Sequence, residues 1–382
     1  MENKFATIIT LPDEILTIIL TKCSYYADII NFGYTCKRFY EVVHKTQCIW
    51  RVLYKRKFCS DVCRYINEFE NGNWYSAFKI YYSNKKSIYS YLPTMSAKCH
   101  NNIKNDVFLD DVRYFFNLAL SHNLGYYYTI RILMVFVARS NWQLSQGIVK
   151  KPFTFTEVYY AKETVRYLIH FYLSVKWVTL FRRREALTPL KVINFYLQWA
   201  DTDHFYYDEC VENKLAILVK EVESVLCLNF SSNLANIQEK CARGIITQKD
   251  ILAAITKVIY DQRRFKLANS INLDLICIEK VLTWNIGNSI AIAAIYQAVA
   301  KVFGVNCELI ALEFSNHMFL KWQDDRNPAE KYNINLSTGE LLRRQQCPFA
   351  RQHENNRNRT YCPELLLKYI DMNLYVDGVT NR

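Results

Sequence analysis

The stretch that decides the fold is G287-NSIAIAAIYQAVAKVF-G304, followed at once by C307-ELIALEFSNHMFLK-W322. In the first segment, Asn288 or Ser289 suits a helix N-terminus and Gly304 a helix end. Between them the residues are apolar nearly all round, the mark of a helix buried on every side. In the second segment, Leu312, Phe314, Met318, Leu320 and Trp322 alternate with Glu313, Ser315, His317 and Lys321. A period of two predicts a strand. The polar run D324-DRNPAE-K331 predicts a turn, and Y332-NINLSTGEL-L342 a second strand with its own turn. The unit is a buried helix followed by an antiparallel hairpin, with His317 among apolar neighbours as its one candidate base.

Working outward, composition bounds the rest. The chain has 382 residues, half of them apolar and 22% charged, which is globular composition. Only 9 Gly and 7 Pro are present, too few turn-makers for a many-stranded barrel, so long helices are predicted for most of the chain. The 13 cysteines are odd in number and have no repeating spacing, and residues 1–10 lack the apolar run of a secretory signal. Free, mostly buried thiols in a reducing compartment follow, with the chain cytoplasmic, nuclear or both. The best candidate for a membrane span, I130-RILMVFV-A138, is far too short to cross a bilayer. The net charge of +12 raises the question of nucleic acid. Its basic clusters, Arg182 to Arg184 and residues 341–359, carry neither a stacking platform nor zinc-ligand spacing, so a solvated basic surface is the reading adopted.

The helical middle is aromatic-rich. Leu168, Phe171, Tyr172 and Val175 form one stripe, Thr188 and Pro189 start the next helix, and Ile251, Ile255, Val258 and Ile259 share a face. His122, His170 and His204 have no partner at metal-ligand spacing, Cys59 and Cys63 have no second pair, and no phosphate-binding or nucleophile-elbow motif occurs. No metal or other cofactor is expected.

At the N-terminal end, residues 11–58 predict three short helices, and along them stand, in order, L11-PDEI-L16, Y34-TCKRFYEV-V43 and I49-WRV-L53. Pro12, Asp13 and Glu14 suit a first turn, and Asp28 is placed as the cap of the second helix. Ile15, Ile18 and Ile19 form an apolar stripe on the first helix, and Cys36, Phe39, Tyr40 and Val43 one on the third. This order of residues resembles an F-box, the motif that docks on the S-phase kinase-associated adaptor of cullin–RING ubiquitin ligases. The resemblance implies an adaptor-binding set of Leu11, Pro12, Ile15, Leu16, Ile29, Cys36 and Trp50.

The C-terminal segments resemble a SirB-type transglutaminase-like domain, a papain-like arrangement. There a nucleophile starts the buried helix, a histidine lies on the next strand and a carboxylate on the one after. Helix dipole, base and orienting acid together activate the nucleophile. The resemblance puts those three positions at Ser289, His317 and Ile334, so only the histidine is kept by type. An F-box followed by this domain resembles a group of F-box proteins that carry a further barrel similar to hemimethylated-DNA-binding proteins. No such barrel is expected before the last residue, Arg382.

The fold expected is therefore mainly α, turning α+β at the C-terminal end. The boundaries drawn are an F-box at 7–56, a helical linker at 57–110, a helical and transglutaminase-like region at 111–350 with its core at 270–347, and a tail at 351–382. The function implied is that of a non-catalytic substrate-recognition subunit. It would bind the adaptor, through it the cullin, and an unidentified protein client, with no membrane or nucleic acid. The alternatives are a Ser289/His317 hydrolase or acyl-transferase, and a basic nucleic-acid-binding scaffold.

Overall fold

A computed structural model describes residues 8–58, 62–63, 66, 71–99, 109–145, 155–182, 187–203, 208–230, 245–268, 272–311, 318–324, 327–343, 363, 366–368 and 370–371. The chain divides into two compact units, Met1–Tyr172 and Leu173–Arg382. No helix among the described residues is long and apolar enough to cross a membrane.

The first unit opens with a 3-10 turn, Ile8–Thr10, and four short helices: α1 (Asp13–Lys22), α2 (Tyr26–Gly33), α3 (Lys37–Lys45) and α4 (Gln47–Lys55). Three helices were expected. The third divides because Thr46 leaves helical geometry at ψ 90° and serves as the end of α3 and the start of α4. Asp28 does not cap α2; it lies in that helix's first turn, where its charge faces the positive end of the dipole. The core-facing stripe of α1 is Leu16 and Leu20, while Ile15, Ile18 and Ile19 point outward. On α3, Phe39, Val42 and Val43 are buried, and Cys36 and Tyr40 are not.

Longer helices follow: α5 (Trp74–Cys99), α6 (Leu109–Leu120), α7 (Gly125–Ser145) and α8 (Phe155–Arg182), the last running across the division between the units. Aromatic rings fill this unit. Tyr54, Phe58, Trp74, Tyr81 and Tyr128 meet edge to face or stacked, at centroid separations of 4.3 to 6.3 Å. The Tyr54 hydroxyl donates to that of Tyr128 at 2.8 Å. The apolar stripe expected on α8 is only partly inward: Leu168 is buried, whereas Phe171 and Val175 are exposed.

In the second unit the start and stop signals are in place. Thr188 caps α9 (Pro189–Ala200) by accepting from the Lys191 N–H. After α10 (Asp208–Phe230), Thr247 and Asp250 form a reciprocal capping box for α11 (Gln248–Thr256). This helix loosens into a π turn, Lys257–Gln262, and Ile251, Ile255, Val258 and Ile259 are all buried along the two segments. A short parallel pair, β1 (Lys266–Leu267) and β2 (Ile286–Gly287), brackets α12 (Leu273–Ile276) and α13 (Ile278–Trp284). Helix α13 ends on Asn285 at φ +55°.

Helix α14 (Ser289–Val302) lies at the centre of this unit's core. Ile290, Ile292, Ile295, Tyr296 and Val299 are fully buried, each aliphatic one contributing about 1.5–3 kcal/mol of transfer free energy. Gly304, at φ +78°, closes the turn that follows. The sheet has four antiparallel strands in meander order: β3 (Cys307–Ala311), β4 (Met318–Asp324), β5 (Asn327–Ile334) and β6 (Leu341–Arg343). The single strand expected across 307–322 is therefore two, paired with Leu309 opposite Leu320. Residues 327–331, expected in a turn, already belong to β5 and pair with the end of β4 across an irregularity at Gln323/Asp324. Helix α14 packs on β3 and β4, so the predicted buried helix against antiparallel strands is what forms.

Candidate functional site

The N-terminal helices present an apolar surface that their own core does not use. In α1, Ile15, Ile18 and Ile19 are 43%, 56% and 44% exposed, and Ile8 and Ile9 stand out of the preceding turn. A helix apolar on both faces buries one and leaves the other for something else. Arg38 of α3 fixes the approach to this surface. Its guanidinium donates to the carbonyls of Ile9 and Leu11 and reaches the Asp13 carboxylate at 2.6 Å. Arg56 holds the other end of α1, donating to the carbonyls of Thr21 and Cys23 at 2.6 and 3.0 Å.

The seven residues assigned here from sequence divide into two groups. Pro12, Ile15 and Cys36 are exposed and Leu11 is half-buried. Leu16, Ile29 and Trp50 are fully buried in the unit's own core, so they support the surface instead of forming it. Trp50 shows why: its indole N–H donates to the Val43 carbonyl at 2.6 Å, and its ring packs on Tyr75 and Phe78. Sequence reading placed Ile18 and Ile19 with Ile15 on one apolar stripe but left them out of the adaptor-binding set, and it passed over Arg38. The available signal was that Leu16 and Leu20 form a second stripe four residues apart on the same helix.

The second place of interest is the start of α14. Ser289 is its first residue and 7% exposed. Its hydroxyl donates to the Asn288 side-chain oxygen at 3.3 Å, and the same oxygen accepts the Ile290 N–H at 3.0 Å. Asn288 is itself anchored, its N–H donating to the Leu275 carbonyl at 2.9 Å. Gly287 allows this close approach, since a Cβ there would stand 2.6 Å from the Val281 side chain. Ile334 ends β5 with no exposed surface, opposite Leu320 on one side and Leu341 on the other. His317 lies outside the described residues, so the three positions are not brought together on described geometry.

Two cysteines lie near this helix. Cys277 precedes α13 and Cys307 begins β3, and both are buried. Burial pushes both thiols up, that of Cys307 to about 12, which keeps them protonated and poor nucleophiles at neutral pH. The Tyr296 hydroxyl, also in α14, donates to the Leu252 carbonyl at 3.1 Å and lies 3.1 Å from the Thr256 hydroxyl, tying α14 to α11. Among the described residues no group of His, Cys, Asp and Glu is arranged to hold a metal. Of the isolated histidines, His122 accepts the Leu124 N–H at 3.1 Å, His170 is half-buried on α8, and His204 lies outside the described residues. Cys63 is buried, and its sequence neighbour Cys59 is outside them too. So is most of the basic segment 341–359, of which 341–343 form β6.

Comparison with known families agrees with both places. A family model described as F-box-like matches residues 8–56, which span the 3-10 turn and α1 to α4. A second, described as the transglutaminase-like superfamily, matches residues 209–370, which include α10 to α14 and the four-stranded sheet. No curated protein matches the chain, and no solved structure does.

Proposed function

We propose that this chain, which carries an F-box-like domain and a transglutaminase-like domain, is the substrate-recognition subunit of a cullin–RING ubiquitin ligase of the SCF type. The observation that carries the proposal is the outward-facing Ile15, Ile18 and Ile19 on an F-box-like helix. With Leu11, Pro12 and Cys36 they form the face that would meet the S-phase kinase-associated adaptor. The cullin and the ubiquitin-charged enzyme would be recruited through that adaptor inside the cell, and the transglutaminase-like region would hold a protein client.

The chain itself would carry out no covalent step. An activated serine needs a base, and the base needs an orienting group. In support, Ile334 has no carboxylate to offer at the third position, and the Ser289 hydroxyl is engaged by Asn288. Ser289, His317 and Ile334 are on this reading a degenerate triad. Labelling of Ser289 by an ester or fluorophosphonate probe, lost in Ser289→Ala, would overturn this part of the proposal and favour the hydrolase alternative.

Calorimetry with the purified adaptor tests the docking itself. One-to-one binding is the expected result. In Ile15→Asp/Ile18→Asp, two side chains that each bury about 1.5 kcal/mol of apolar surface are replaced by charges. Affinity should fall at least about 100-fold, since each 1.4 kcal/mol is a factor of ten. Binding unchanged by the double substitution, or none at all, would sink the proposal.

A further inference from the structure

In the first unit, four cations lie close to one another with no carboxylate paired to them among the described residues. Lys57 follows α4, Lys85 lies on α5, and Arg131 and Arg139 lie on α7. Helices α5 and α7 pack together. Tyr82, Lys85 and Tyr89 share a face of α5 by their i, i+3 and i+4 spacings. The Lys57 ammonium lies 5.6 Å from the Tyr82 ring centroid, and that of Lys85 lies 5.8 Å from Tyr82 and 5.3 Å from Tyr89. Arg131 acts electrostatically on Lys57 and Tyr81, and Arg139 on Lys85 and Tyr89. The cluster thus has two tiers along the paired helices.

None of the four makes an ion pair with a carboxylate among the described residues. Among the described residues of this unit, Asp13 pairs with Arg38, Glu41 with Lys45 and Glu163 with Arg166. Desolvation, then the neighbouring cations, lower the pKa of Lys57 and of Lys85. Lys85 is half-buried and the other three are exposed, and like charges held close together repel unless an anion joins them.

We propose that this face binds a compact, multiply phosphorylated small anion. Three features select that class. Lysine and arginine together are the usual phosphate-binding pair, one a point charge and the other a fork. Arg131 and Arg139 are eight residues apart on one helix, about 12 Å at 1.5 Å per residue, the scale of a few linked phosphates. The rings that could stack a nucleobase are already covered, Tyr82 by Lys57, Lys85 and Tyr26, and Tyr89 by Lys85 and Phe136. A nucleic acid binding through base stacking would have no free platform here. The proposal does not rest on the adaptor-docking reading.

Inorganic tripolyphosphate is the probe, titrated calorimetrically into the full chain at low salt. One-to-one binding is expected, weakening as salt rises. It should weaken at least tenfold in Arg131→Gln/Arg139→Gln, whose melting temperature should stay level or rise as repulsion is relieved. If that variant does not fold, Lys57→Gln/Lys85→Gln is read in its place with the same expectation. Absence of binding at low salt, or wild-type affinity in a folded variant, overturns the proposal. So does tighter, equally variant-sensitive binding of a single-stranded RNA or a phosphopeptide, which would make the face a polymer site.

Discussion

Replacing Ile334 by Asp puts a carboxylate at the place where the transglutaminase-like arrangement would hold one. If the position is core, the result is loss of stability, not gain of chemistry. The Ile334 side chain has no exposed surface and packs between Leu320 and Leu341 across the sheet. Removing a fully buried isoleucine costs about 2–5 kcal/mol. Burial also raises a carboxyl's pKa, and each unit above the usual 3.9 costs about 1.4 kcal/mol once the pH exceeds both values. An elevation of about 2–3 units adds roughly 3–4 kcal/mol. The sum, about 5–9 kcal/mol, rivals the whole stability of an ordinary domain. The sign follows from linkage. A folded-state pKa above the unfolded value leaves the acid neutral in both states at low pH, so the charge penalty is absent below about 3.9 and grows as pH rises to the folded value. Guanidinium unfolding of Ile334→Asp at pH 4.5 and 7.5 should show the variant more destabilised at the higher pH by a few kcal/mol. Ile334→Val should lose only about 0.5–1.5 kcal/mol at either pH. An Asp variant within about 1 kcal/mol of the parent at both pH values would refute the reasoning, because the side chain would then reach water and the position would line an open site.

Two other outcomes follow from the first unit. Arg38→Ala removes the donor that holds the Ile9 and Leu11 carbonyls beside Asp13, and because the Arg38–Asp13 pair is exposed it should cost only about 1 kcal/mol of stability. Hydrogen exchange at residues 9–13 should speed up and adaptor affinity should fall; unchanged exchange would show that Arg38 does not order this segment. Desolvation raises the phenol pKa of Tyr54, Tyr81 and Tyr82, so their contribution is complete below pH 10 and is lost as pH climbs towards the folded values. Circular dichroism should show alkaline unfolding beginning above pH 10, with Tyr54→Phe about 1 kcal/mol less stable at pH 7 through loss of its bond to Tyr128 and less sensitive to alkali. An alkaline transition identical in Tyr54→Phe would argue that this phenol is not one of the groups involved.

Where local chemistry dominates, the sequence was legible. The start of α14 at Asn288, its end at Gly304, the Thr188 cap of α9 and the buried face of α11 follow from residue type and spacing, because capping and helical period act within a few residues. The resemblance of residues 8–56 to an F-box was likewise carried by short motifs, and the family comparison agrees with it. Strand boundaries were less legible. Whether 307–322 forms one strand or two, and whether 327–331 turns or pairs, depends on partners far away in sequence.

The sequence by itself determined the helix-rich composition, the apolar α14 and the residue types at positions 289, 317 and 334. Tertiary structure alone decided which apolar residues are core and which are surface. Leu16, Ile29 and Trp50 went inward while Ile15, Ile18 and Ile19 were left outside, although all six are apolar and several share one helix. The reason is physical. Hydropathy states that a side chain gains by leaving water, but only the neighbouring helices determine whether there is anywhere for it to go. The same holds for Lys57, Lys85, Arg131 and Arg139, scattered over more than eighty positions and brought near one another by the packing of α5 against α4 and α7.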